Sequence, residues 1–500
     1  MPREILYRER YGDNGREIIF VKSTEHPTIT RVEPKAEANS KIYDTSVSTF
    51  LKEVFLPQGF PDSVHSDYVP YQIWDTVQAF ASTIMGTLTT HSIMQGVGVG
   101  DTSATALAAA ITWILKDGTG MIGRIVFAWW NGPGLDAQCK KWRLFADFLN
   151  DCAFGIELTL PYFSKYSVFV LCISTAMKSI VGVAGSATRA ALTQHQALQN
   201  NLADVSAKDG SQETFVNLIA SFVGIMILSN LGDGRYVMEL FVLLATVHLY
   251  ANYRAVKALC LNSLNEDRLA LIMRNYLTNQ TIPNPTEVNK FESVLLYGNS
   301  SKSLTAFKIK MGVSLESVFK NDIIKPDDVQ LLLNLFQNRK YLIVMDVKRK
   351  MILIPIAKDA QPSDILQAYF HACLYGLITC MTLRWPVDVL LKARSHEPSY
   401  PLIRMYLLNK KYPSLSERSL SRIPVEIILA TDEIVAKEYR LFEEALKKSA
   451  WLTEMNLLPV GQWRGSWSHL DDQGLKLRTS ELSRITTHEE EQNVIENTTK

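Results

Sequence analysis

Cysteine is scarce in this chain of 500 residues, and neither sign of charge dominates it. The 6 cysteines (Cys139, Cys152, Cys172, Cys260, Cys373 and Cys380) form no CxxC pair, and none stands beside a histidine at zinc spacing. That argues against a disulfide scaffold or a zinc ribbon and leaves small apolar fillers in a reduced compartment as the expectation. Lys and Arg total 52 against 51 Asp and Glu, a net charge of +1. Without a concentrated basic field, nucleic acid is not an expected partner. The 9 histidines include no HxxxH or HExxH, and neither a GxSxG elbow nor a GxxxxGK[ST] loop occurs, so no metal site, serine hydrolase or P-loop is predicted. No repeat of fixed period is present. The opening MPREILYRERYGDNGREIIF has no continuous apolar core of a secretory signal and carries many acids for a transit peptide.

What the chain does have is long apolar runs, unevenly placed. Thr76–Gly100 and Thr214–Gly232 contain no Asp, Glu, Lys or Arg, and each approaches the ~20 residues that cross a bilayer. Ala104–Leu115 stops at Lys116, Tyr166–Gly185 contains Lys178, and Tyr236–Leu259 contains Glu239, His248 and Arg254. Small residues recur every fourth position at Gly100, Ala104 and Ala108, and at Gly182, Ser186 and Ala190, a spacing that lets membrane helices approach closely. A soluble helical core is the competing reading, since intramembrane charge is costly.

The second half has another grammar. Tyr341–Val347 and Met351–Ala357 are β-branched runs about a basic Lys348–Lys350 turn, which predicts a β-hairpin. Pro362-Ser363-Asp364 starts a helix, and further helices are predicted over Asp327–Phe336 and Asp432–Lys448. The fold class expected is mainly α: a multi-helix apolar, transmembrane domain followed by a smaller α+β C-terminal domain. The expected division is a polar flank over 1–46, the apolar domain over 47–261, the α+β domain over 262–457 and a polar, disordered tail over 458–500.

Three constellations hold the candidate chemistry. Gly96, Gly98 and Gly100 give only GxGxG, the preceding TLTTHSIMQ does not read as a strand, and Asp101 repels phosphate; a turn and helix cap is the better reading. Lys116, Asp117, Gly118 and Gly120, with Arg124 beyond, are expected to break the helix, either as a corner with a local ion pair or as a charged site between apolar helices. Arg143, Asp147 and Asp151 share one helix face by their four-residue spacing. Two carboxylates one turn apart can hold a hard cation, but with no third ligand nearby in sequence a solvated face with an Arg–Asp pair is the simpler expectation.

The strings FLPQGFPDSVHSDYVPYQIWDTVQAF, GVGVGDTSATALAAAITWILKDGTGMIGRIVFAWW and LDAQCKKWRLFADFLND resemble the root UVB sensitive family, and animal members of it in particular. The resemblance is dense from Phe50 to Asp151 and continues to about Leu261. It implies a family domain without an assigned activity, tied in plant members to vitamin B6 homeostasis, and it supplies no catalytic residues. The chain is therefore expected to be an intracellular multi-pass membrane protein that handles a small polar molecule related to vitamin B6 and is not an enzyme. Lys116, Asp117, Gly118, Gly120, Arg124, Arg143, Asp147 and Asp151 are its candidate ligand-binding residues. No cofactor is predicted, pyridoxal phosphate being the one the resemblance suggests. A lipid membrane, and a family paralogue or further copy of the chain, are the expected partners. The alternatives are a soluble or peripheral scaffold acting through the C-terminal domain, and an enzyme on a phosphorylated small molecule.

Overall fold

The computed structural model describes residues 3–10, 17–23, 29–32, 46–97, 106–231, 236–296, 300–319, 326–393, 402 and 425–467. The chain forms two compact units, Met1–Leu261 with Val294–Leu296, and Asn262–Ser293 with Tyr297–Lys500. The GVGVGD segment beyond Val97 and the C-terminal tail beyond Trp467 lie outside the described residues.

The first unit opens with an antiparallel meander of β1 (Arg3–Arg10), β2 (Glu17–Ser23) and β3 (Ile29–Val32), then α1 (Ser46–Phe55). Six long helices follow among the described residues: α2 (Tyr68–Gly96), α3 (Ala106–Ala137), α4 (Cys139–Leu158), α5 (Ser167–Gln196), α6 (Leu202–Leu231) and α7 (Val237–Ala258). Side-chain pairings give their directions. Gln72 meets Asp209 and Thr83 meets Asn217, so α6 runs with α2. Gln78 meets His248 while Met85 packs with Phe241, so α7 runs against α2. Arg143 meets Asp75 and Phe154 lies by Gly86, so α4 runs with α2. Lys178 meets Glu157 and Ala184 packs with Trp142, so α5 opposes α4. The result is an up-and-down bundle.

Its two ends differ. Toward the end where α2 finishes and α7 begins, large apolar side chains point outward: Ile114 on α3, Phe169 on α5, Phe222 and Met226 on α6, Leu243 on α7; exposed Ile125, Trp129 and Trp130 continue along α3 toward the opposite end. The opposite end carries Asp67, Asp204, Lys208, Asp209 and Arg189. So broad an exposed apolar surface marks contact with lipid or protein. By length and composition, three described helices can cross a membrane: α5, α6 and one in the second unit. Only 22% and 11% of the most apolar stretches of α5 and α6 are buried.

The expected break at Lys116–Gly120 does not occur, because α3 runs through it without interruption. Packing is the reason: a Cβ on Gly120 would come within 2.9 Å of Thr175 on α5. Gly120 therefore admits a close helix approach, which offsets its helix penalty of about 1 kcal/mol. The Gly182, Ser186, Ala190 stripe is also not a seam within the unit. All three face outward, and a Cβ at Gly182 would touch nothing within 4 Å.

The second unit contains β4 (Ser263–Leu264), α8 (Glu266–Asn279), α9 (Pro285–Phe291), α10 (Ser300–Thr305), β5 (Lys308–Met311), α11 (Leu315–Phe319), α12 (Pro326–Leu335), β6 (Val344–Asp346), β7 (Met351–Ile354), α13 (Pro362–Thr382), α14 (Asp388–Ala393), α15 (Val425–Lys447) and β8 (Leu452–Asn456). β6 and β7 are the expected hairpin, with Asp346 Oδ1 accepting from the Arg349 N–H in the turn and β5 adding in parallel to β7. A second, two-stranded sheet pairs β4 with β8. α13 starts on a capping box between Gln361 and Asp364. It is the third helix of membrane-spanning length, but 83% of its most apolar stretch is buried, around Tyr369, Phe370, Leu374 and Leu377. A helix apolar on all sides needs either lipid or a core, and α13 has the core.

Candidate functional site

Arg143, Asp147 and Asp151 do share one face of α4, but that face is buried between α2 and α7 rather than solvated. Arg143 Nη2 donates to Asp75 Oδ1 at 3.0 Å, and the Tyr71 hydroxyl donates to the same oxygen at 3.2 Å. One turn on, Asp147 Oδ2 accepts from Gln78 Nε2 at 2.8 Å and from the Asn252 amide. Gln78 Nε2 also stands 3.0 Å from His248 Nε2, and His248 Nδ1 stands 2.9 Å from Asp151 Oδ2. With the Gln78 amide donating into Nε2, the consistent assignment puts the imidazole proton on Nδ1, aimed at Asp151. His248 is 0% exposed. Such a network is energetically favourable only when its members satisfy one another.

Two atoms in it are not satisfied. Arg143 Nε and Asp151 Oδ1 are buried without a hydrogen-bond partner. Both Asp151 oxygens lie 2.9 Å from His248 Nδ1, and one proton cannot serve both. Three carboxylates (Asp75, Asp147, Asp151) face one guanidinium, so the site is formally anionic. A second strand of the network joins Gln72 to Asp209 at 2.9 Å, Asp209 to Arg189 at 2.7 Å and Arg189 to Glu213 at 2.6 Å. Lys178, which interrupts an apolar run in the sequence, is paired with buried Glu157 at 2.6 Å and lies 4.5 Å over the Phe154 ring.

Toward the apolar end, one turn beyond Gln78, a cleft of about 660 Å³ opens along α2. Ser82, Thr83, Thr87, Thr90 and His91 line it, with Phe154 and Leu228. Thr87 and Thr90 donate to the carbonyls of Thr83 and Gly86, which leaves their oxygens free to accept. A volume of this size falls in the range of small-molecule sites. Within the network itself, carboxylates and imidazole are tied to each other. Among the described residues, His, Cys and carboxylate ligands converge as a metal would need only at the polar end, at His65, Asp67 and His195.

The other residues singled out in the sequence do not join this site. Lys116 Nζ is 3.7 Å from Asp117 Oδ1 and lies 4.2 Å over the Trp113 ring, Asp117 and Arg124 are exposed, and a Cβ on Gly118 would meet nothing within 4 Å. The site's remaining members, Tyr71, Asp75, Gln78, His248 and Asn252, were not anticipated. A signal existed in the four-residue spacing of His248 and Asn252, which matches that of Asp147 and Asp151.

Residues 43–280 match a family model described as a vitamin B6 photo-protection and homoeostasis domain. Residues 281–467 match a second, described as root UVB sensitive protein, C-terminal. The models meet at 280/281, whereas the compact units divide at 261/262, so α8 packs with the second unit. The chain is 46% identical over 289 residues to RUS family member 1 of Dictyostelium discoideum, covering 57% of this chain and 53% of that protein. It therefore spans about half the length of that relative. It is 33% identical over 425 residues to protein root UVB sensitive 3 of Arabidopsis thaliana, covering 83% and 86% of the two chains. It is 30% identical over 337 residues to protein root UVB sensitive 2, chloroplastic, of the same plant, covering 67% and 74%. No solved structure matches the chain.

Proposed function

The chain belongs to the root UVB sensitive family, and from that premise we propose that it is a multi-pass membrane protein that binds and moves an unphosphorylated vitamin B6 compound without converting it. The observation carrying this reading is a hydroxyl-lined cleft on an apolar-surfaced bundle, one turn along α2 from a buried and formally anionic network. Intramembrane ionisable groups are costly and are kept where a polar solute passes or binds. Phe154 offers an aromatic face for a pyridine ring, and the hydroxyls and His91 offer partners for its substituents. The surplus carboxylates favour a neutral or cationic vitamer such as pyridoxine or pyridoxamine. Pyridoxal phosphate fits less well, because the described lining residues include no lysine or arginine for its phosphate.

Equilibrium dialysis of the purified full chain in detergent tests the reading. Pyridoxine and pyridoxamine bind, and pyridoxal phosphate binds more weakly. Phe154→Leu weakens binding by roughly 3- to 10-fold, the value of one aromatic contact, and Asp147→Asn weakens pyridoxamine most. Wild-type protein that binds no vitamer, or that prefers the phosphate ester, overturns it.

A further inference from the structure

We propose that His65, Asp67 and His195 form a transition-metal site, with zinc as its ion, at the polar end of the bundle. The three residues come from separate places in the sequence. His65 lies in the segment before α2, Asp67 immediately precedes α2 at its N-cap position, and His195 is in the last turn of α5. The backbone fixes their meeting. Val64 and Ala197 form an antiparallel bridge, the His65 N–H donates to the Gln196 carbonyl at 2.9 Å, and the Leu198 N–H donates to the Ser63 carbonyl at 3.2 Å. The Cys260 N–H, just past α7, donates to Asp67 Oδ2 at 2.8 Å and holds the carboxylate from the third side.

The ligand atoms converge. Asp67 Oδ1 is 2.9 Å from His65 Nδ1, Asp67 Oδ2 is 2.9 Å from His195 Nε2, and one such atom from each residue lies within 4.8 Å of the others. The competing reading is a hydrogen-bonded Asp–His–His cluster. It accounts for the His195 side, where an Nε2–H can donate to Oδ2. It does not account for the His65 side. There the Asp67 N–H approaches His65 Nδ1 at 3.4 Å, a long contact in which that nitrogen is the acceptor. Asp67 Oδ1 stands 2.9 Å from the same nitrogen, yet it is buried and has no hydrogen-bond partner, on a residue only 5% exposed. Two lone pairs 2.9 Å apart with no proton between them repel unless a cation lies between them. Ligands on one tetrahedral zinc, with bonds of roughly 2.0–2.2 Å, stand about 3.3–3.6 Å apart, so taking up zinc spreads this pair by roughly half an ångström.

Two imidazoles and a carboxylate suit a borderline ion such as zinc and disfavour magnesium or calcium, which prefer all-oxygen shells. Three protein ligands leave a fourth position open, and His65, at 26% side-chain exposure, gives a route to it from solvent. The site is independent of the vitamer reading, as it lies at the far end of α2 from the cleft.

Full-length protein stripped with a chelator and titrated with zinc alone, against a chromophoric competitor, takes up one ion per chain. Loss of one first ligand in His195→Ala or Asp67→Asn lowers the affinity by more than about 100-fold, beyond what outer-shell changes cost. Asp67→Asn keeps an acceptor for the Cys260 N–H, so the fold survives for that comparison. X-ray absorption on zinc-loaded wild-type protein, which needs no variant, shows two imidazoles and light-atom ligands. Wild-type chain that takes up no stoichiometric zinc, or variants that bind it undiminished, overturn the assignment.

Discussion

His371 shows how much a single side chain can be governed by its surroundings. It lies on α13, buried against Phe336 and Tyr341, with Nδ1 3.1 Å from the Tyr341 hydroxyl. Burial, with a smaller push from Arg339, lowers its imidazole from 6.5 to about 3. The folded histidine stays neutral while the unfolded one takes a proton, so stability is full above about pH 6.5 and falls as pH drops toward 3. By pH 4 this group alone removes on the order of 3 kcal/mol. His371→Gln keeps an acceptor for Tyr341 and flattens the acid limb. Urea midpoints of both proteins between pH 7 and pH 4 measure this, and parallel limbs would sink the assignment. The bundle network shows what is legible at this scale. The shared face of Arg143, Asp147 and Asp151 could be read from their spacing, but its burial could not. The partners that bury it lie 69 and 105 residues from Asp147, and no local pattern reports contacts of that range.

At the scale of elements, helices of similar composition have opposite surroundings. α6 and α13 are both apolar enough to span a bilayer, yet one is mostly exposed and the other mostly buried. Composition was sufficient to find both helices, and the β6–β7 hairpin was equally plain from its β-branched runs and basic turn. What composition could not supply was whether a glycine ends a helix or admits a neighbour. Neither Gly224 nor Gly118 ends a helix, and only Gly224 admits a neighbour. A Cβ on Gly224 would come within 2.9–3.1 Å of three Thr87 side-chain atoms, whereas one on Gly118 meets open space. Gly118→Ala should therefore stabilise the bundle by up to about 1 kcal/mol through helix propensity. Gly224→Ala should destabilise it by roughly 1–3 kcal/mol through overpacking where α6 crosses α2. Thermal unfolding of the detergent-solubilised chain compares them, and a shift of the same sign for both would refute the distinction.

For the molecule as a whole, the distribution of exposed apolar surface makes the chain's partition the decisive observable. Outward-facing tryptophans on α3, with the poorly buried α5 and α6, should keep the full chain in the pellet after alkaline carbonate extraction of membranes. Release into the supernatant would mean that protein, not lipid, covers that surface. Among the described residues, the bundle helices long and apolar enough to cross a membrane are α5 and α6, an even number, and evenness has a topological consequence. A polypeptide that crosses a barrier an even number of times returns to the compartment it left. In the membrane reading, α1 and the exit at Leu261 therefore share one side, whichever way the protein is inserted. Losing a helical hairpin in a splice variant would preserve that parity, while losing one helix would send everything downstream to the opposite face.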